Sequence, residues 1–221
     1  KPYVYVSDDF GASWKDISSN LPLSPVNVII EDPVKENILY LGTDDASYIS
    51  FDQGSSWELL DGSMPNVAVH DMVVQTEAND LVIGTHGRSI YITNLDEIQK
   101  FDAAKASDLQ LFELDAVDYS TNWGRSWSAW RAANAPKIKI AFYAPQSGKA
   151  TLEIMSAAKK MLKSWEVAVE KGFNYIPYDL TISEAGKKQL EKENKDLKIT
   201  KAQNDVYYIT PGRYQVQVKV A

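Results

Sequence analysis

Cysteine is absent from the 221 residues. That excludes a disulfide framework, a thiolate nucleophile and a cysteine-ligated metal, and it leaves the redox compartment unreadable. Histidine occurs twice, at His70 and His86, and arginine four times, at Arg88, Arg125, Arg131 and Arg213. No apolar run approaches the ~18 residues of a membrane span, so no transmembrane segment is expected. The chain opens on Lys1-Pro2, without an initiator Met or a signal peptide, and reads as a processed or excised piece. Basic residues are scarce early: residues 1–100 hold 5 Lys+Arg against 16 Asp+Glu, a net −11, whereas residues 101–221 carry +4. An acidic first half disfavours nucleic acid and anionic membranes as partners. Its plain reading is a solubilising surface.

What is present is apolar and aromatic. Residues of the hydrophobic types make up 44%, enough for a real core, and there are 12 Tyr and 6 Trp. Two eight-residue stretches share one pattern. Ser7-Asp8-Asp9-Phe10-Gly11-Ala12-Ser13-Trp14 and Ser50-Phe51-Asp52-Gln53-Gly54-Ser55-Ser56-Trp57 both read Ser-x-Asp-x-Gly-x-Ser-Trp. Each follows an alternating apolar run, which makes it the turn of a hairpin. Asp9 and Asp52 can accept N–H bonds within their own turns. Gly11 and Gly54 supply a positive φ that a Cβ would oppose. Trp14 and Trp57 begin the return strands and can lay an indole over the turn.

The pattern has a period. Tyr5, Tyr48 and Tyr91 are 43 apart, as are Val6, Ile49 and Ile92. Leu39-Tyr40-Leu41-Gly42-Thr43 matches Leu81-Val82-Ile83-Gly84-Thr85. A period near 43 with several short strands suits one four-stranded propeller blade. One unit lays out as strand A at 26–31 and 69–75, strand B at 38–42 and 81–84, strand C at 47–51 and 89–93, and strand D at 57–60. The third copy fails after strand C, because Leu95 and Glu97 replace the Asp and Gly of the turn.

The repeated turn resembles the Asp box of bacterial-neuraminidase-type (BNR) repeats. Those repeats build β-propellers in sialidases, xyloglucanases and sortilin-type receptors, where the box is a fold-holding turn and not a catalytic element. The resemblance implies about two blades here. It also implies a longer protein whose remaining blades are partners of these, with the final blade's missing strand D supplied by an absent N-terminus. It further implies that the BC and DA loops share the functional face and that the Asp boxes lie on the opposite one. The BC loops are residues 43–46 and 85–88, and the DA loops are 18–25 and 61–66.

Gly84-Thr85-His86-Gly87-Arg88-Ser89-Ile90-Tyr91-Ile92 looks much like the last-blade signature of sortilin-like bacterial propellers, often labelled glycosyl hydrolases. His86 can act as an acid/base and Arg88 as an anion clamp, or both can cap strand ends. Asp44 and Asp45 can serve as a glycosidase carboxylate or as cation ligands; alternatively they are turn formers on an acidic surface. His70 stands alone in a strand and reads as packing. A sialidase requires an arginine triad, and the scarcity of arginine within the blades makes that activity improbable for this piece.

Residues 101–135 read as a bridge. A short helix is expected from Phe101 and a strand over 109–114. Residues 120–127 look like a box with Asn122 in place of Asp, off the repeat register. Trp123, Trp127 and Trp130 lie close together, either as an exposed platform for sugar rings or as the seam between two domains. Pro136 opens a third region, 136–221, of alternating strands separated by Pro/Gly turns, which suggests an Ig-like β-sandwich. Gly172-x-Asn174…Tyr178-Asp179-Leu180 and Pro211-Gly212-x-Tyr214 are similar to the Ig-like domain named after the flagellar hook-capping protein, which often ends secreted bacterial proteins. Residues 183–194 depart from the pattern. Ser183 can cap a helix there, an insertion that Gly186 weakens.

The sequence therefore predicts an all-β chain: the tail of an Asp-box propeller (1–100), a Trp-rich bridge (101–135) and an Ig-like sandwich (136–221). No cofactor or metal is expected. The expected role is a non-catalytic binding or structural segment of an exported bacterial protein, extracellular or in the cell envelope by the resemblance. Its ligand would be carbohydrate or peptide, on the face that carries Asp44, Asp45, His86 and Arg88. The rival is part of a glycoside hydrolase whose catalytic residues lie mainly in missing blades.

Overall fold

The computed structural model describes residues 1–60, 64–128 and 130–220. Of the DA loop expected over 61–66, Asp61, Gly62 and Ser63 lie outside the described residues. The chain divides into two compact units, Lys1–Ala103 and Ala104–Ala221.

The first unit is a series of antiparallel meanders. A hairpin of β1 (Tyr5–Val6) and β2 (Lys15–Asp16) comes first. A four-stranded sheet follows in sequential order: β3 (Val26–Glu31), β4 (Leu39–Thr43), β5 (Ser47–Ser50) and β6 (Glu58–Leu59). A three-stranded sheet of β7 (Val69–Gln75), β8 (Asp80–Thr85) and β9 (Ile90–Asn94) repeats it without the last strand. Sequential pairing is what short alternating strands with tight turns produce, because each strand meets its chain neighbour at least loop-closure cost.

The first strands of the two sheets share an irregularity. The register of β3 against β4 shifts between Val26 and Val28, and that of β7 against β8 between Val69 and Asp71. These are β-bulges at repeat-equivalent positions, and the bulged residues are Asn27 and His70. Strand β7 lies against β4 so closely that a Cβ on Gly42 would come within 2.5 Å of Val69 Cγ1. The glycine is what lets the two sheets approach.

After β9 the chain enters α1 (Asp96–Lys100) instead of a third Ser-x-Asp turn. The sequence suggested a helix from Phe101, where alanine is rich. It forms earlier because Asn94 Oδ1 accepts the Asp96 N–H at 3.0 Å and two acidic residues occupy the first turn. Leu95 and Ile98 are buried beneath it. The alanine-rich stretch makes only a 3-10 turn, Ala103–Lys105.

One buried carboxylate ties the turn after β3 to α1. Asp32 is 2% exposed. It accepts the Val34 and Lys35 N–H groups at 2.8 Å, the Tyr40 hydroxyl at 2.7 Å and the Gln99 amide at 2.9 Å. Burial works to raise the Asp32 carboxyl, but the bonds from Gln99, Tyr40 and the two N–H groups outweigh it and hold the group below its ordinary value. Burial and the neighbouring Asp32 push the Tyr40 hydroxyl far up, so it stays a donor.

The second unit is two sheets around one core. β10 (Gln110–Leu111), β11 (Ile138–Ala144) and β14 (Gly172–Tyr178) form one. β13 (Met161–Val169), β12 (Gly148–Ser156) and β17 (Tyr214–Val220) form the other. Ile140 and Phe142 of β11, Leu152 and Ile154 of β12 and Val218 of β17 meet in a common core, which makes the unit a β-sandwich. The stretch expected as a separate bridge belongs to this unit from residue 104 onward: Leu109, Leu114 and Trp123 pack on that core.

A small pair, β15 (Thr181–Ile182) with β16 (Tyr207–Tyr208), flanks α2 (Glu184–Glu193). Ser183 caps α2, its Oγ accepting the Gly186 N–H at 3.0 Å and donating to Leu162 O at 2.7 Å. Gly186 costs helix propensity, yet a Cβ there would collide with the backbone carbonyl of Leu162. The glycine lets α2 lie on β13 and bury Leu190 against Leu162, Ile182 and Ile199.

Two outcomes are expected. Gly186→Ala raises intrinsic helix propensity by ~1 kcal/mol, yet the backbone collision makes it a net loss of about 1–3 kcal/mol, read from urea unfolding. Asp32 has a depressed folded pKa, so its contribution is present at neutral pH and lost as pH falls below about 4. Asp32→Asn is therefore less stable than the parent at pH 7, and the gap in thermal midpoint closes toward pH 3.

Candidate functional site

The two Ser-x-Asp turns are built alike. In the first, Asp9 accepts from Ser13 N–H at 2.8 Å, Ser13 Oγ–H at 2.7 Å and Ser7 Oγ–H at 2.9 Å. In the second, Asp52 accepts from Ser56 N–H at 2.8 Å, Ser56 Oγ–H at 2.6 Å and Ser50 Oγ–H at 2.8 Å. Ser7 and Ser50 Oγ accept the N–H groups of Gly11 and Gly54 at 2.7 and 2.8 Å. The backbone is left-handed at Phe10 and Gly11, and again at Gln53 and Gly54. The bonds from Ser13, side chain first, and from Ser7 hold Asp9 down to about 2. At Asp52 partial desolvation works upward, and the bonds from Ser56 and Ser50 overcome it to lower the carboxyl. Every acceptor oxygen is thus committed to the turn, which is a structural use.

The turns differ in what covers them. Trp57 is buried, and its indole N–H donates to Ile17 O at 2.7 Å. Asn20 closes both sides of Trp57, accepting its N–H at 2.9 Å and donating to its carbonyl at 2.8 Å. A Cβ on Gly54 would sit 2.7 Å from Ile17 Cδ1, so the glycine serves close approach as well as positive φ. Trp14 has no such cover and is 63% exposed.

Strand β5 runs from the loop at residues 43–46 to the Asp52 turn, so these lie at opposite ends of the sheet. The loop end holds the residues singled out in the sequence. Asp44 and Asp45 are exposed. Asp44 Oδ1 accepts from Asn27 Nδ2 at 2.9 Å, and the same amide donates to Val69 O at 3.1 Å. Asp45 uses its backbone, its carbonyl accepting the Val67 N–H at 3.0 Å and its own N–H reaching Thr43 Oγ1 at 3.1 Å. In the next repeat His86 N–H donates to Ala68 O at 2.9 Å, and Thr85 Oγ1–H donates to Ser89 O at 2.6 Å. Gly87 and Ser89 both have positive φ, which turns the loop and leaves Arg88 exposed.

The reading of His70 as a packing residue does not describe its surroundings. His70 is exposed, and its ring lies 5.3 Å from that of His86, tilted by 56°. The chain's two histidines are therefore neighbours. The bulge in β7 is what does this, by adding a residue that re-aims one side chain. Asn27 with Asp44 and His70 with His86 are the same pair of positions in successive repeats. Only the repeat register could have flagged His70, since 27 and 70 are also 43 apart.

The three tryptophans separate. Trp123 is buried in the second unit, edge-on to Tyr119 at 5.1 Å and 5.9 Å from Tyr208. Trp127 and Trp130 are 97% and 95% exposed. The turn at 120–125 does not reproduce the Ser-x-Asp geometry. It is held by Gly124 N–H to Asn134 O at 2.7 Å and Asn134 N–H to Arg125 O at 2.8 Å.

Among the described residues, no group of three or more His, Asp or Glu is placed to hold a metal ion. Among them, too, no helix is long and apolar enough to cross a membrane. No protein family matches the chain, and no curated protein matches it. Among solved structures, Drosophila Semaphorin 2a is similar at 14% identity, covering 93% of this chain and 35% of that one, with a TM-score of 0.25. A superposition that loose carries no argument, and the chain spans about a third of that structure's length.

Asp52→Ala removes the acceptor that holds a covered turn, whereas Asp9→Ala does so in an exposed one. The Asp52 variant should lose more stability, about 1–3 kcal/mol, and the Asp9 variant clearly less. Paired urea unfolding curves followed by tryptophan fluorescence check the order.

Proposed function

We propose that the first unit is a binding segment of an Asp-box β-propeller, exported from the cell, and that it performs no complete reaction by itself. Its ligand is carbohydrate or peptide, held at the loop end that carries Asp44, Asp45, His70, His86 and Arg88. One observation carries this reading. Successive repeats raise equivalent polar pairs, Asn27–Asp44 and His70–His86, at adjoining positions of one end. Rigid bulged strands hold these groups while their polar edges face solvent, which is what recognition of a hydroxyl- or amide-rich ligand needs.

The commitment of both Ser-x-Asp carboxylates to their own turns supports placing function at the opposite end. The exposure of Asp44 and Asp45 favours binding over glycoside hydrolysis. A glycosidase's general acid sits in a closed, apolar pocket, and neither residue is buried.

Titrating the 15N-labelled chain with oligosaccharides and with extended peptides tests the proposal. One ligand class should shift the amides of residues 43–46 and 85–89, and His86→Ala should weaken that binding about tenfold or more. Turnover of a glycoside that disappears in Asp44→Asn would sink the binding reading. So would a loop end that answers to neither class.

A further inference from the structure

The second unit holds a cavity of about 340 Å³ that none of the foregoing uses. Its walls are of three kinds. Tyr119, Trp123 and Tyr208 supply aromatic surface, and Arg125, Lys198 and Lys201 supply positive charge. The remaining wall is rich in small hydrogen-bonding groups, among them Ser120, Thr121, Thr200 and Thr210. No Asp or Glu lines it.

The charge is available. Lys201 pairs with Asp205 at 2.8 Å, but among the described residues Arg125 and Lys198 form no ion pair. Glu191, in the same region, pairs with Lys187 at 2.8 Å and accepts the Ile199 N–H at 3.0 Å, and it also offsets part of the Lys198 charge, which leaves Arg125 as the main cation of the wall. Arg125 and Lys198 are both exposed. The aromatic wall is firm: Trp123 and Tyr208 are buried among core residues, while Tyr119 is 47% exposed and stands edge-on to Trp123.

The site is also built rigidly. Arg125 follows Gly124, whose φ is +76° and where a Cβ would collide with Ala202 and with the Asn204 side chain. Ser126 N–H donates to Gln203 Oε1 at 3.2 Å. The turn that bears Arg125 is thereby fixed to the segment that bears Lys201, although the bonded residues are 77 apart in sequence. The anchored turn fixes where the Arg125 side chain starts, so binding orders the side chain but not the backbone.

We propose that this cavity binds an acidic saccharide, a chain of uronate rings, independently of the loop-end site in the first unit. Tyr119, 47% exposed, offers apolar surface to a pyranose ring, whose C–H face packs on aromatic carbon, and the buried Trp123 backs it. Arg125 takes the uronate carboxylate, in the forked geometry that matches two oxygens, with Lys198 as a second positive charge. The Thr121 and Thr200 hydroxyls meet the sugar hydroxyls, whereas Ser120 Oγ already accepts the Asn122 N–H at 3.2 Å and Thr210 Oγ1 is paired with the Tyr214 hydroxyl at 3.2 Å. A flat aromatic anion would gain nothing from the exposed Thr121 and Thr200 hydroxyls, which water would keep paired, whereas a saccharide gains bonds there. The volume suits about one or two rings and lies at the lower end of small-molecule sites.

The test uses the whole 221-residue chain and calorimetry with oligogalacturonate and oligoguluronate trisaccharides. The methyl-esterified galacturonate trimer, inorganic phosphate and a nucleoside monophosphate serve as controls. At least one uronate trimer should bind with a Kd below about 1 mM, shifting amides in 119–126 and 198–210. Arg125→Gln should weaken it about tenfold or more, and so should Tyr119→Ala. Arg125 is exposed, so its variant should keep the parent's thermal midpoint, whereas Tyr119→Ala loses the edge contact with Trp123 and is compared at a temperature where it is fully folded; Lys198→Gln gives a further check on the charge. Equal affinity for the esterified trimer would overturn the proposal. So would phosphate or the nucleotide binding as tightly as the uronates, indifference to Arg125→Gln and Lys198→Gln together, or no uronate binding at that limit.

Discussion

Ile17 lies against Gly54, and the first unit depends on that contact. The Ile17 side chain fills the space that a Cβ at position 54 would need, and its carbonyl takes the Trp57 indole N–H. Asn20 then pairs with both backbone groups of Trp57, and Ser19 Oγ–H reaches the Ser55 carbonyl at 3.0 Å. A two-stranded hairpin such as β1–β2 is marginal alone. Docked through this segment, it becomes a wall of the small core that holds Val4, Ile17, Leu21, Leu41 and Trp57. The Asp52 turn is what presents Gly54 and Trp57 in the needed positions, so the carboxylate acts beyond its own loop.

Fixing one repeat on the next also aligns their ends. At one end, carboxylates are consumed by structure: Asp9 and Asp52 inside their turns, and Asp32 among Tyr40, Gln99 and two backbone N–H groups. At the other end, the bulges at Asn27 and His70 turn polar groups toward the loops. Acidic residues at the two ends of the sheets therefore do different work, and hydrogen-bond saturation tells them apart. An aspartate with both oxygens engaged in its own turn is a fastening, whereas Asp44, exposed and bonded through one oxygen, keeps capacity for a ligand.

The second unit solves a different packing problem. A helix must cross a sheet edge without lifting off its core, and a residue without a side chain at 186 permits that approach. The same unit draws Trp123 inward with Tyr119 and Tyr208, while Trp127 and Trp130 stay in solvent. Three tryptophans within eight residues thus have two fates, because Gly124 turns the chain sharply after the first of them.

Much of this was legible in the residues. The first strand of each repeat was expected at 26–31 and 69–75, and these form as Val26–Glu31 and Val69–Gln75. Helix α2 was expected within 183–194 and runs Glu184–Glu193 from its Ser183 cap. These features are local: alternation, turn chemistry and capping are decided within a few residues, so the sequence alone determines them. The meeting of His70 with His86 was not legible, since it needs a bulge whose register depends on the facing strand. Nor was the assembly of Tyr119, Arg125 and Lys198 around one cavity, or the reason for glycine at 42 and 186. Each of these rests on which distant backbone comes within van der Waals reach, and only the packed tertiary structure decides that.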